Sequence, residues 1–95
     1  MTHKDIDDNV VFVGKKGLMN YAMAVITQFN KGEKTVCIKA RGRAISRAVD
    51  IVQVVKKRFE PTMTVDDIQI GSDEMEREEG GMIDISTIEI TVSKP

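Results

Sequence analysis

The chain reads as a two-layer α/β fold of the α+β kind, in the order β-α-β-α-β-β. It is expected to form a mixed sheet carrying two helices and a projecting C-terminal β-hairpin. Three observations predict this. Two apolar, β-branched runs, residues 9–13 and 35–38, are each followed by a segment whose apolar residues recur at steps of three and four, which is strand and then amphipathic helix, twice. Beyond Pro61 the pattern becomes alternation, broken by Glu79-Gly80-Gly81, a turn signal between two strands. The length, 95 residues, supplies one hydrophobic core with little to spare.

Taken in order, residues 1–8 are polar and acidic and read as a flexible tail, leaving 9–95 as one domain. His3, the only histidine, falls in that tail, so no His-dependent catalysis is expected within the fold. Residues 9–13 (Asn-Val-Val-Phe-Val) are a continuous apolar run stopped by Gly14, which predicts a central strand. Lys15, Lys16 and Gly17 then lead into a helix over about residues 18–30. Its stripe is Leu18, Ala22, Val25, Ile26 and Phe29, widened by Met19, Met23 and Ala24, with no charge between Lys16 and Lys31. A helix apolar over so much of its circumference needs cover beyond one sheet face, and a homodimer would supply it.

The second strand is expected over about residues 34–40. Cys37, the only cysteine, reads there as a small buried hydrophobe; it excludes an internal disulfide and fits a reducing cytoplasm. The second helix spans about residues 43–59, with Ile45, Ala48, Val52, Val55 and Phe59 on one stripe. Lys56, Lys57 and Arg58 close it, as the helix dipole alone would favour, although nucleic-acid contact is the other reading. Glu60-Pro61 ends it.

The hairpin strands are about 65–73 and 82–92. On the return strand Ile83 and Ile85 belong to one alternation, Ile88, Ile90 and Val92 to the other. A bulge or twist near Ser86-Thr87 is therefore expected if both groups face one core. Counting back from the turn sets 88–92 opposite about 68–72, packed on the body, and leaves 73–85 as an acidic arm.

A right-handed crossover between two parallel strands puts both strand-to-helix loops at the same end of the sheet. Lys15-Lys16 and Arg41-Gly42-Arg43, remote in sequence, should then share one rim beside two helix N-termini, where free amides and the dipole favour anions. Lysine supplies a hydrated point charge and arginine a fork for phosphate oxygens. Arg47, one turn into the second helix, extends the cluster. Asn20 can hydrogen-bond phosphate or sugar; Tyr21 either does the same or is a core ring with its hydroxyl at the surface.

The net charge of −1 conceals a division. Residues 9–59 hold eleven Lys and Arg against two acids, +9, whereas residues 60–95 hold ten acids against two cations, −8. The body suits a polyanion and the arm does not. No run of eighteen apolar residues exists, so no membrane span is expected.

Residues 9–16 (NVVFVGKK), Met19-Asn20-Tyr21 and the long string at 38–50 (IKARGRAISRAVD) closely resemble the Alba family of archaeal chromatin proteins. The likeness continues through Arg58-Phe59 and residues 86–90 (STIEI), over almost the whole chain beyond the tail. The resemblance implies a dimer that binds double-stranded DNA and RNA. By position it makes Lys15 and Lys16 the centre of the nucleic-acid surface and one of them an acetylation target, Arg41 and Arg43 its basic loop, and Phe59 a contact between neighbouring dimers, although Phe59 alone reads equally as core. The departure is the arm, 73–79, where DEMEREE stands for the family's basic hairpin and leaves Arg77 as its one cationic contact.

The leading expectation is a chromosome-associated, cytoplasmic nucleic-acid-binding homodimer without cofactor, metal, membrane or small-molecule substrate. Its binding should be weaker or more selective than the family pattern. The alternative is an RNA-binding subunit or chaperone of a ribonucleoprotein assembly, its acidic arm docked on a basic partner. A small phosphatase using Arg41 and Asn20 is the third reading, disfavoured by the absence of histidine from residues 9–95 and the lack of spaced Cys/His ligands.

Overall fold

Strand and helix follow one another as the periodicities require. A computed structural model describes residues 9–95; the expected tail, 1–8 with His3, lies outside the described residues. The elements are β1 (Val10–Phe12), α1 (Leu18–Asn30), β2 (Thr35–Arg41), α2 (Ile45–Arg58), β3 (Thr64–Glu76) and β4 (Met82–Ser93), with a 3-10 turn, Gly42–Ala44, before α2. The sheet is mixed, in the order β1-β2-β4-β3. β1 runs parallel to β2, Val10 beside Cys37 and Phe12 beside Lys39; the other pairings are antiparallel.

β1 is thus an edge strand, not the central one its apolar run suggested. The β3–β4 hairpin docks on the far side of β2 and leaves β1 a single partner. Val11 and Val13 do point into the core, but Phe12 between them faces out, 61% exposed. Alternation sorts β2 the same way. Val36, Ile38 and Ala40 are buried, so Cys37, Lys39 and Arg41 belong to the opposite face. Cys37 is therefore half-buried on the open side of the sheet rather than in the core. Desolvation, and then the charge of Glu89, push its thiol above the usual range.

Both helices cover one face. α1 buries Ala22, Val25 and Phe29, while Leu18, Ala24 and Ile26 are partly buried against the core. α2 lies across β2 and β4 and packs on α1. Ala48, Val52 and Val55 are buried as their spacing predicts, and Ile51 joins them at full burial. Phe59 does not. It caps α2 with its backbone N–H still donating to Val55 O at 3.0 Å, and its side chain is 41% exposed. Met63, fully buried just after the proline, closes the core at that end.

The hairpin keeps one register across Ser86-Thr87, where a bulge was expected. Gly71 faces Thr87 and Ser72 faces Ser86 without interruption. The two isoleucine groups simply occupy opposite faces: Ile88, Ile90 and Val92 are buried under the helices, and Ile83 and Ile85 are half-buried on the other side. The single shift lies on β3, between Val65 and Asp67. The pairing is also offset from the count made back from the turn, with Ile88 opposite Ile70 and Ile90 opposite Ile68. β2 stops pairing at Arg41–Thr87. Beyond that row β3 and β4 continue alone to Glu76–Met82 and form the arm. Its turn is closed by Gly80 and Gly81, both at positive φ, and by Arg77 N–H donating to Gly81 O at 2.9 Å.

Candidate nucleic-acid interface

The parallel pairing of β1 and β2 fixes where their following loops emerge. Val13 N–H donates to Lys39 O at 2.8 Å, so the two strands leave the sheet side by side. The guanidinium of Arg47, in the first turn of α2, reaches across and donates to the carbonyl of Lys16. The two basic turns are thereby tied together. A concave surface between them is lined by Gly14, Lys15, Arg41, Arg43, Ala44 and Arg47, with no carboxylate in its wall.

Tyr21 shapes the lysine turn from beneath. Its ring is buried, and its hydroxyl accepts from Gly14 N–H at 2.8 Å and Lys16 N–H at 3.0 Å. This is the core-ring reading with a polar tip, and the tip holds backbone. Asn20, one residue earlier on α1, is exposed. Lys15, Lys16, Arg41, Gly42 and Arg43 are also exposed, and Arg47 is half-buried. Gly42 has φ +60, the left-handed region that disfavours a side chain. A Cβ there would meet only Ile85 Cγ2 at 3.5 Å, so conformation rather than space calls for glycine.

Neither helix is capped by a side chain, and neither has an acid in its first turn. Their N-terminal amides and positive dipole ends therefore remain directed at this rim. One acid does approach. Asp73, at the root of the arm, lies 3.8 Å from an Arg41 nitrogen, with the two side chains 54% and 57% exposed. At that distance and exposure the pair contributes about 0–1 kcal/mol. Farther out, Glu74, Glu76, Glu78 and Glu79 are exposed along the arm.

Not every singled-out residue converges. Phe59 and the Lys56-Lys57-Arg58 cluster sit at the far end of α2, roughly 20 Å from the rim at 1.5 Å per residue. Lys56 is engaged there, its ammonium donating to Met63 O. Sequence reasoning passed over Phe12 and Lys39, which flank the rim on the open sheet face, the Lys39 ammonium 5.9 Å from the ring centroid. The alternation of β2 was the signal that could have found Lys39. Among the described residues no group of three or more His, Cys, Asp and Glu is placed to hold a metal.

Known proteins resemble this chain over most of its length. The Alba family model matches residues 9–72. The chain is 54% identical over 89 residues to the DNA/RNA-binding protein Alba of Methanocella arvoryzae, covering 94% of this chain and 93% of that one. It is 53% identical over 87 residues to DNA/RNA-binding protein Alba 1 of Archaeoglobus fulgidus, covering 92% and 97%. The solved structure of Alba from Thermoplasma volcanium superposes with a TM-score of 0.86 at 42% identity, over 90% of this chain and all of that one.

Proposed function

The chain belongs to the Alba family, and from that premise we propose that it is a homodimeric, chromatin-type protein that grips double-stranded DNA, and RNA, by the phosphate backbone. One observation carries the reading: the two basic turns share a concave rim, tied together by Arg47. In it Lys15 and Lys16 act as point charges. Arg41 and Arg43 fork onto phosphate oxygens, Arg47 adds the donors its tie to Lys16 leaves free, Asn20 reaches the backbone from α1, and Gly42, at positive φ, sets the turn that presents both arginines. Tyr21 positions the lysine turn. Lys15 and Lys16 are exposed and accessible to acetylation, which would remove a charge from the rim. Chromosome association in the cytoplasm follows from the partner. Among the described residues no helix is long and apolar enough to cross a membrane. No catalytic step is assigned to the rim.

Dimerisation finds its support on β3 more than on α1. Val65, Ile68 and Ile70, opposite Val92, Ile90 and Ile88 on the helix side of the sheet, are 42%, 57% and 83% exposed. Fully burying an exposed Val or Ile is worth about 1.5–3 kcal/mol, so covering what remains exposed here is worth roughly 1–2 kcal/mol each. Phe59, at the outer end of α2, is the contact between neighbouring dimers. The acidic arm repels phosphate, so binding is weaker or more selective than close coating of DNA. The same arm favours a second reading, an RNA-binding subunit or chaperone of a ribonucleoprotein assembly whose arm meets a basic partner.

The test is titration of duplex DNA and structured RNA across a salt series, with wild type and the double variant Lys15→Ala, Lys16→Ala. Affinity should fall steeply with salt, because counterion release drives it. The double variant should bind every duplex more weakly, its salt slope shallower by about 0.9 per lost phosphate contact. Salt-independent binding, or an unaffected double variant, would overturn the proposal.

A further inference from the structure

The face of the sheet away from the helices carries a second concavity beside the rim, lined by Phe12, Lys39, Arg41, Asp73, Thr87 and Glu89. Arg41 lines both it and the basic cleft. The strand registers set these residues in two rows. Phe12 stands beside Lys39, and Lys39 beside Glu89; one step nearer the rim, Arg41 stands beside Thr87.

Phe12 is the unusual member. An aromatic ring 61% exposed on an edge strand keeps apolar area in water that burial would remove. Its contact with the Lys39 ammonium, at 5.9 Å, is at the outer limit for a cation over a ring, so the ring is held loosely. The polar groups around it are also uncommitted. Lys39 and Glu89 approach only to 3.9 Å and Arg41 and Asp73 only to 3.8 Å, all four at least one-third exposed.

We propose that this pocket receives one unpaired base of an RNA loop, stacked on Phe12, while the rim holds the adjoining phosphates. The proposal rests on the reading of the rim given above. A flat ring next to cations is the arrangement on which single-stranded bases stack, and the stacking tolerates any sequence because every base has a π-face. A base inside a duplex has both faces covered by its neighbours and offers none to Phe12. The pocket therefore separates single strands from duplexes, a distinction that backbone contacts do not make. Folded RNA presents helical phosphates and splayed loop bases in one molecule. Glu89, Asp73 and the Thr87 hydroxyl add acceptors for a 2′-hydroxyl, a donor that DNA lacks. Lys39 and Arg41 release their loose carboxylate partners to phosphate.

The experiment compares a hairpin RNA carrying 2-aminopurine in its loop, the deoxy hairpin of the same sequence, and a blunt DNA duplex, by anisotropy and by quenching. The full chain is used as wild type, Phe12→Ala, Phe12→Trp and the Lys15→Ala, Lys16→Ala double variant. Phe12→Ala should weaken the RNA hairpin about 5- to 150-fold, the range of base–aromatic stacking, and abolish quenching. It should leave the duplex unchanged. Phe12→Trp should retain both affinity and quenching, and the deoxy hairpin should bind less tightly than the RNA. An unchanged RNA affinity in Phe12→Ala, or equal losses on hairpin and duplex, would overturn the proposal. So would a shift of Phe12→Ala to monomer in sedimentation, which would make this face a subunit contact, or a deoxy hairpin indistinguishable from the RNA. The double variant isolates the rim. If it binds all three ligands as wild type does while Phe12→Ala still loses RNA, the rim reading fails and the stacking site stands.

Discussion

Tyr21 shows how a single side chain couples the core to the lysine turn at the proposed binding surface. Its ring is packed among apolar residues, while its hydroxyl accepts from the amides of Gly14 and Lys16 and so sets the path of the lysine turn. Tyr21→Phe leaves those two N–H groups without their partner. The expected loss of stability is about 1–3 kcal/mol, read by urea denaturation at fixed protein concentration, with weaker duplex binding as the turn relaxes. Gly42→Ala acts through conformation instead, because φ +60 disfavours a Cβ. A cost of about 1–2 kcal/mol is expected in the same assay. Asp66 provides a pH signature. Hydrogen bonds from the Ser93 and Thr64 hydroxyls hold its carboxyl below the usual range. Its contribution to stability is present above the unfolded-state value and lost as pH falls through the lower folded-state one. Asp66→Asn should therefore flatten the acid limb of the stability profile below about pH 4 and leave the neutral plateau's slope unchanged.

At the scale of elements, the arm and the rim oppose one another. β3 and β4 run on past the last row of β2 and carry a series of exposed acids, Glu74 directly opposite Asp84. Like charges facing each other across a ladder are unfavourable, so the arm's composition is not explained by its own stability. Its root meets the rim where Asp73 approaches Arg41. Asp73→Asn should raise duplex affinity two- to fivefold at low ionic strength, as expected for an exposed ion pair worth about 0–1 kcal/mol. The gain should vanish in high salt, where both proteins converge. An unchanged affinity at low salt would show that Asp73 does not compete for Arg41.

For the whole molecule, the helices cover β1, β2 and β4 but leave the inner side of β3 exposed at Ile68 and Ile70. A second copy covering this strip would bury it, and Ile70→Lys would place a charge in the seam. Sedimentation velocity should show the variant shifted toward monomer, with its far-UV spectrum intact because Ile70 contributes little to the fold of one chain. A dimer that survives Ile70→Lys would move the contact elsewhere, to α1 with its exposed Met19 and Met23.

The local periodicities determined by themselves that residues 18–30 form a helix, that a basic string follows a strand, and that the chain ends in an acidic hairpin. These depend on neighbours three or four residues away, or two, and such signals are written directly in the order of side chains. The closing of a rim by Lys15, Lys16, Arg41 and Arg43 was also legible, because a parallel crossover leaves the two loops no other end to share. The edge position of β1, the outward turn of Phe12 and Phe59, the removal of Cys37 to the open face, the offset pairing of the hairpin and the place of its bulge were not. Each depends on which strand docks beside which, and on where the helices run out of sheet to cover. An apolar run looks the same whether one face or two will be buried, and only the packed molecule decides how many.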